Sequence, residues 1–139
     1  TQMINIAQTL CILIIDVDHF KKYNDLNGHQ GGDLALISTG NVLRANIRSY
    51  DFAARIGGEE FMILLPNTVL ADGIGMAERI RLEIEKQIVT HPDSVPLPNI
   101  TVSIGLALSD SSSTAKSLFA EADKKLYVAK QSGRNCVRY

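Results

Sequence analysis

Two pairs of carboxylates, Asp16 with Asp18 and Glu59 with Glu60, stand where apolar runs of the sequence are interrupted. Like charges repel when a fold brings them together, unless a cation lies among them. Oxygen-only ligands suit Mg²⁺ or Mn²⁺ rather than Zn²⁺, and a carboxylate-bound Mg²⁺ completes its coordination with water and phosphate oxygens. If the acids converge, they predict a divalent-metal site for a nucleoside triphosphate. Taken singly, such an Asp is more often a helix cap and such a Glu a solvated turn residue, so the prediction depends on all of them.

The elements that must position these acids are indicated by apolar periodicity. Residues 10–15 form an unbroken apolar run, which is typical of a central strand covered on both faces. The glycines within 28–32 predict a break between two helices, the second of which Asp33 could cap. Gly57 and Gly58 predict a tight hairpin turn, because glycine adopts positive φ freely.

The whole pattern predicts the order β-α-α-β-β-α-β-α-β. Apolar stripes of helical period recur in 74–88 and 118–129, whereas 100–108 alternates like a half-exposed strand and 136–139 could add an edge strand. The strands of a hairpin must pair antiparallel, which excludes an all-parallel sheet. We therefore predict an α+β fold, a ferredoxin-like (split βαβ) antiparallel sheet with helices on one face. In that sheet the first strand can lie beside the hairpin, so the acids can meet at one edge.

Length and composition restrict the classes of protein. The 139 residues are enough for one domain with a proper core, and we predict a single domain over residues 1–139. A net charge of −1 gives no general reason to expect a nucleic-acid or anionic-membrane surface. Two cysteines are too few for a disulfide framework, so we expect a reducing compartment, the cytoplasm, although a longer parent chain could be membrane-anchored. The longest apolar run is too short to span a bilayer.

Several blocks of the sequence, in this order, resemble the GGDEF family, the diguanylate cyclases. They are DVDHFKKYND (16–25), GHQGGD (28–33), RIGGEEF (55–61), TVSIG (101–105), and ADKKLYVAK (122–130) leading to GRN (133–135). The resemblance covers almost the whole chain and implies a palm-like nucleotide-cyclase fold. It implies an enzyme that condenses two GTP into cyclic di-GMP and releases two pyrophosphates. Each subunit of a homodimer would present one GTP, and the 3′-hydroxyl of one would attack the α-phosphate of the other.

The resemblance also implies roles for the acids. Asp16, the main-chain carbonyl of Val17 and Glu59 would hold the Mg²⁺ or Mn²⁺ ions. Glu60 would complete the acidic catalytic site and is a candidate for activating the 3′-hydroxyl. Physically, this is positioning plus charge neutralisation at an in-line phosphoryl centre.

For the substrate, the resemblance implies contacts from the first helices. Asn24 and Asp33 match the residues that read guanine, whose N1–H and exocyclic amine suit one carboxylate, whereas adenine lacks that donor pair. A helix N-cap is the structural alternative for Asp33, and both roles could hold together. Phe20 and Lys21, in an early helical turn, would offer backbone N–H groups to phosphate.

Basic residues match two further kinds of contact. Lys130 and Arg134 match positions that hold the terminal phosphates; alternatively, they are cations near a helix C-terminus, favourable through its dipole. Arg48 and Asp51 match the RxxD motif of product inhibition, with Arg79 as a second arginine that clamps the cyclic di-GMP inhibitor. Their structural alternative is an exposed arginine at a helix end and an aspartate at a strand entry.

The sequence departs from the family in two places. The usual opening pattern DxLTGLxNR has no match within residues 1–9, so we expect the N-terminal segment to be incomplete. Glu59 stands where the family name has Asp, but it keeps the carboxylate. The alternative function is a silent module that binds GTP or cyclic di-GMP; the retained acids favour the enzyme, and Asp33 conflicts with an ATP-using relative. A sensory or dimerising domain is expected in the parent chain.

Overall fold

The computed structural model describes residues 9–93 and 95–139. Its elements are β1 (Leu10–Val17), α1 (Phe20–Asn46), β2 (Phe52–Arg55), β3 (Glu60–Pro66), α2 (Leu70–Lys86), β4 (Val102–Leu108), α3 (Ala115–Gln131) and β5 (Val137–Arg138). The strands form one sheet in the order β2-β3-β1-β4-β5. This arrangement confirms the predicted α+β, palm-like fold with the hairpin beside the first strand. Among the described residues, no helix is both long and apolar enough to cross a membrane.

Strand β1 lies at the centre of the sheet, between two antiparallel neighbours. Its residue Asp16 is opposite Glu60 of β3 on one side and Ser103 of β4 on the other. The predicted antiparallel pairing is confirmed for β1 to β4, but at the far edge β5 pairs parallel to β4. The sheet is therefore mixed, and its centre presents the end of β1 to residues from both sides.

Helices cover both faces of the sheet, so the prediction of helices on one face is wrong. On the first face, alternate β1 residues such as Leu13 and Ile15 pack with α1 and α2 in the larger core. On the opposite face, Ile12 and Ile14 pack with Leu118, Ala122 and Leu126 of α3. The continuous apolar run of β1 is thus buried on both faces, as predicted.

Strand β4 is also buried on both faces, against the prediction of a half-exposed strand. Its small residues allow α3 to approach. A Cβ on Gly105 would lie 2.2 Å from both the Ala122 carbonyl oxygen and the Leu126 nitrogen, so a side chain there would collide with helix backbone. This close packing fixes α3, whose last turn carries Lys130, against the sheet.

Helix α1 is interrupted where the sequence predicted a break. Gly28 has φ 75° and ψ 169°, outside the helical region, and helical backbone lies on both sides of it. Glycine reaches this positive φ without the steric cost that a side chain imposes. Asp33 lies five residues inside the second stretch rather than at its first residue, so the predicted N-cap role of Asp33 is wrong.

The hairpin turn between β2 and β3 has a different basis from the one predicted. The glycines with positive φ are Gly28 and Gly133 among the described residues, so Gly57 and Gly58 do not use that conformation. The Arg55 guanidinium instead donates to the carbonyl oxygens of Gly57 and Gly58, at 3.1 and 2.7 Å. A Cβ on Gly58 would meet nothing within 4 Å, so the turn is sterically open on that side.

Candidate functional site

The acidic end of the sheet consists of Asp16, Glu59 and Glu60. Asp16 is a buried residue near the end of β1, and Glu60 is its register partner on β3. The Val17 N–H donates to the Glu59 carbonyl oxygen at 3.2 Å, which places the backbone of Val17 beside the turn. Lys130 Nζ donates to Asp16 Oδ2 at 2.7 Å. Residues separated by more than a hundred positions therefore meet here.

The pKa values of the two glutamates report the crowding of negative charge. Burial raises the pKa of Glu59 most, the charge of Asp16 raises it further, and Lys130 and Arg134 lower it. Burial and then the charge of Asp16 also raise the pKa of Glu60. A proton is thus held more tightly than on a solvated glutamate, because each ionised carboxylate is partly desolvated and faces a like charge.

The donor set fits a hard divalent cation. Its donors are all oxygens, and three carboxylates face the ammonium group of Lys130, with Arg134 exerting a weaker effect. Within 9–93 and 95–139, however, no three His, Cys, Asp or Glu side chains have the geometry of a formed metal site. The three carboxylates lie together at the acidic end, and Lys130 already donates to one Asp16 oxygen.

Asp18 does not join this group, so the prediction that all four acids converge is wrong for it. Its side chain is only 2% exposed. Thr101 and Ser103 each donate a hydroxyl to it at 2.6 Å, and the Asn135 N–H donates at 3.0 Å. A carboxylate that accepts three such bonds has its charge satisfied by the fold.

The first turn of α1 lies directly after the acidic end. His19 has a left-handed backbone with φ 52°, the helix begins at Phe20, and no side chain hydrogen bond caps it. The first N–H groups of any helix lack intrahelical partners, and the dipole favours an anion there. Lys21 is exposed on this turn, while Phe20 is half-buried and packs against the core, so the Phe20 side chain is engaged inside the protein.

Arg134 lies in the turn that follows α3. Its backbone is left-handed with φ 63°, and its N–H donates to the Ala129 carbonyl oxygen at 3.1 Å. Its NH1 atom is 4.0 Å from Asp18 Oδ1. Because the charge of Arg134 also lowers the pKa of Glu59, Lys130 and Arg134 both lie near the acidic end, where their predicted contact with phosphate would be made.

A groove of about 850 Å³ runs along α1 and β2. Asp33 lines one part of it and is exposed, while Asp51 lines another part. Asn24 lies on α1 before the break, where its Nδ2 is 3.1 Å from His29 Nδ1. A Cβ on Gly32 would lie 2.0 Å from Asn24 Oδ1, so Gly32 leaves the space that Asn24 fills.

The arginine corner consists of Arg48, Asp51 and Thr68. Arg48 donates to Asp51 through its backbone N–H, Nε and NH2, at 2.8, 2.9 and 3.1 Å. Its NH2 also donates to Thr68 Oγ1 at 2.8 Å, and its guanidinium lies 4.8 Å from the centre of the Tyr50 ring. The hydrogen bond to Asp51 raises the pKa of Arg48.

Arg79, the third residue of the predicted inhibitory site, lies on the exposed side of α2. Its Nε donates to Asn46 Oδ1, at the end of α1, at 2.6 Å. Arg48 follows that helix end by two positions, so the fold brings both arginines to the same end of α1.

Sequence reasoning missed the residues that act through these groups. Arg55 lies in the RIGGEEF block, but the pattern of that block does not indicate that its guanidinium binds the turn carbonyls. Thr68 and Asn135 were not assigned any role. For the contacts of Asp18, the sequence does carry a signal. Thr101 and Ser103 are hydroxyl residues at the start of an otherwise apolar strand, where they could donate to a buried carboxylate.

Comparisons with known proteins show which family this chain is similar to. The model of the diguanylate cyclase GGDEF domain matches residues 2–136. Diguanylate cyclase A of Treponema denticola is 42% identical over 131 residues, which cover 94% of this chain and 35% of the relative. The chain thus spans about a third or less of the length of the curated relatives it matches.

Two solved structures are similar over nearly the whole chain. The GGDEF domain of DgcB from Caulobacter crescentus, in complex with c-di-GMP, has a TM-score of 0.91 and 34% identity, covering 95% of this chain and 78% of that one. The active GGEEF domain of a diguanylate cyclase from Vibrio cholerae has a TM-score of 0.84 and 30% identity, covering 96% of this chain and 85% of that one.

Proposed function

Since this chain belongs to the GGDEF family of diguanylate cyclase domains, we propose that it condenses two molecules of GTP into cyclic di-GMP and two pyrophosphates. The observation that carries the proposal is the convergence of Asp16, Glu59 and Glu60 with Lys130 at the end of the central strand. Such a concentration of carboxylates beside a cationic side chain suits a triphosphate with its divalent metal.

In each condensation, the 3′-oxygen of one GTP forms a bond to the α-phosphorus of the other. The bond from that phosphorus to the bridging oxygen of pyrophosphate breaks, and the hydroxyl proton leaves. Glu60 is the candidate acceptor for that proton, because a raised pKa makes a carboxylate a better base. Two such steps close the ring, and in the proposed mechanism a second subunit presents the second GTP.

The guanine and the phosphates are bound at opposite ends of the site. Asp33 and Asn24 would bind the base from α1, and Asp33 is exposed in the groove as this role requires. Lys130 and Arg134 would bind the terminal phosphates, with the first-turn N–H groups at Phe20 and Lys21. This contact set orients the α-phosphate at the acidic end.

Diguanylate cyclases of this family depend on a divalent metal, and the residues fit one. Asp16, Glu59 and the main-chain carbonyl of Val17 would hold Mg²⁺ or Mn²⁺. The bound ion would supply neutralisation of the triphosphate charge and polarisation of its phosphoryl oxygens. Glu59 follows Gly57 and Gly58 on the sterically open turn, where a triphosphate could approach the backbone.

The arginine corner is proposed to bind the product. Arg48 presents a partly exposed guanidinium that Asp51 and Thr68 hold in a fixed orientation. A fixed guanidinium suits bidentate contact with phosphate or a guanine edge. Arg79 would contribute a second contact from α2. A homodimer, a sensory or dimerising domain in the full protein and a cytoplasmic location stay predictions.

The test of the proposed function uses nucleotide-free protein with GTP and Mg²⁺ over a range of protein concentrations. Mass spectrometry identifies the products. We expect cyclic di-GMP, with a rate that rises more steeply than the protein concentration because two subunits must meet. Glu59→Ala should lower turnover by about 10²–10³-fold, while Glu59→Asp, which keeps a carboxylate, should retain it.

Circular dichroism and the melting temperature show whether each variant is folded. Full activity of folded Glu59→Ala would remove Glu59 from the mechanism. GTP or cyclic di-GMP bound without product at any protein concentration would contradict the cyclase and support the silent binding module.

A further inference from the structure

A polar network lies behind the acidic end, where β1, the start of β4 and the turn after α3 meet. Asp18 is its centre and accepts hydrogen bonds from the hydroxyls of Thr101 and Ser103. It also accepts the backbone N–H of Asn135 at 3.0 Å, across 117 positions of the sequence. Since its side chain is 2% exposed, this carboxylate serves contacts inside the protein rather than a ligand.

The turn that Asp18 holds has an unusual backbone. Arg134 and Asn135 are consecutive non-glycine residues with positive φ, 63° and 45°. Side chains disfavour this conformation, and it persists only where surrounding contacts fix it. Asparagine tolerates this conformation better than most residues, whereas arginine does not, so Arg134 in particular must be held by contacts from outside the turn.

The side chain of Asn135 supplies the second set of contacts. Its Nδ2 donates to Glu85 Oε2 at 2.7 Å, and Arg81 NH1 donates to its Oδ1 at 3.0 Å. Both partners belong to α2 on the first face of the sheet, whereas α3 covers the other. The turn is thus attached to the core strand through Asp18 and to α2 through Asn135.

We propose that Asp18 and Asn135 are positioning residues that hold Arg134 toward the phosphates of the substrate. This inference rests on the proposed function, because it assigns Arg134 to the terminal phosphates. Asp18 acts at two points: it binds the N–H that follows Arg134, and its Oδ1 lies 4.0 Å from the Arg134 guanidinium. An arginine held in place loses less freedom on binding than a mobile one, so affinity for the triphosphate increases.

Asp16 and Asp18, at the end of β1, then have different roles. Asp16 faces Lys130 and the glutamates, where the metal and the reacting phosphate are proposed. Asp18 fixes the strand end to the turn that carries Arg134. Replacing Asp18 should weaken binding of the outer phosphates and leave binding of the base unchanged.

The test compares binding of a non-hydrolysable GTP analogue and of GMP, both with Mg²⁺, by calorimetry. Asp18→Asn keeps the size of the side chain but removes its charge and one acceptor. Asn135→Gly suits the left-handed backbone and keeps the N–H to Asp18, while it removes both side-chain contacts to α2 and leaves the longer one, 3.4 Å from Arg81 NH1 to the backbone carbonyl oxygen. We expect each variant to bind the triphosphate analogue about tenfold more weakly, the scale of one charge-assisted hydrogen bond, with GMP affinity unchanged.

A double-mutant cycle separates positioning from a general structural effect. In an Arg134→Ala background, Asp18→Asn should cause no further loss of triphosphate affinity, because its effect acts through Arg134. A loss that persists there, or an equal loss for GMP, would overturn the inference. Asn135→Gly preserves the main contact and so remains informative if Asp18→Asn does not fold.

The remaining outcomes distinguish this inference from the proposed function. Unchanged triphosphate affinity in both variants, with a clear loss in Arg134→Ala, would overturn the positioning role and leave the cyclase standing. Failure of the wild-type protein to bind either nucleotide would overturn the proposed function and this inference with it.

Discussion

The acidic end and the arginine corner differ in how far their charges are paired. At the acidic end, three carboxylates face Lys130, and the pKa values of Glu59 and Glu60 are raised by burial and by Asp16. At the arginine corner, one guanidinium makes a bidentate contact with one carboxylate. The first region therefore has an excess of negative charge that a cation can relieve, whereas the second is already paired before any ligand arrives.

This difference implies different modes of binding. A divalent ion at the acidic end would reduce repulsion that the fold leaves in place. A ligand at the corner finds Arg48 held by Asp51 and Thr68 with 38% of its side chain exposed, so it binds to an arginine of fixed orientation. We expect the arginine corner to keep its structure without a ligand, but to be destabilised when the Arg48–Asp51 ion pair is lost.

Among the variants that test this comparison, we expect the largest effect from Arg48→Ala, which breaks the corner and leaves the acidic end intact. We expect the inhibition constant of cyclic di-GMP to rise by at least about 30-fold, the scale of an interface hot spot. The initial rate, measured before product accumulates, should be unchanged. Because the Asp51 side chain is fully buried, losing its partner should also lower the melting temperature.

Arg44→Ala is the matched control for that variant. Arg44 is an exposed arginine of α1 that lines the same groove and contacts Asn41 rather than Asp51. Inhibition that persists unchanged in Arg48→Ala, or that Arg44→Ala relieves equally, would contradict the assignment of the corner as the inhibitory site.

A smaller effect is expected from Asp33→Ser, since Asp33 and Asp51 line the same groove but differ in their surroundings. Asp51 is bound by Arg48, whereas Asp33 is exposed, as its proposed contact with guanine requires. We expect the ratio of GTP to ATP turnover to fall about tenfold, within the range of one bidentate base contact. Asp25→Ser, on an exposed position of the same helix, is the control. Undiminished GTP selectivity would show that Asp33 does not read the base.

The elements of the fold could largely be predicted because each follows from local periodicity. The burial of β4 under α3 could not be predicted, because β4 alternates apolar residues with Ser103, Gly105 and Ala107. Small residues in alternation are typical of a solvent-facing side, but here Gly105 makes room for the backbone of α3 and Ser103 donates to Asp18. Close packing and solvent exposure select similar residue types, so the sequence pattern does not distinguish them.

The site shows the same limit. The meeting of Asp16 with Glu60 follows from the hairpin lying beside β1, which local signals predict. Asp18, in contrast, is bound inside the protein by Thr101, Ser103 and Asn135, which are distant in sequence. No local pattern around Asp18 indicates that its charge is satisfied, so the two aspartates look alike until the fold is known.

The smallest expected effect concerns the excess charge itself. Since folding raises the pKa of Glu60 above its ordinary value of 4.5, the folded state binds a proton more tightly than the unfolded state. The stability that this provides is present below pH 4.5 and is lost as the pH rises through the raised pKa. In metal-free protein at pH 7, Glu60→Gln should therefore melt about 1–4 °C higher than wild type, a modest gain because the site is partly exposed. At pH 4 the difference should shrink, and Glu121→Gln, exposed on α3, should not reproduce it. A lower melting temperature for Glu60→Gln at pH 7 would mean that the fold already neutralises the acidic end as fully as it does the arginine corner.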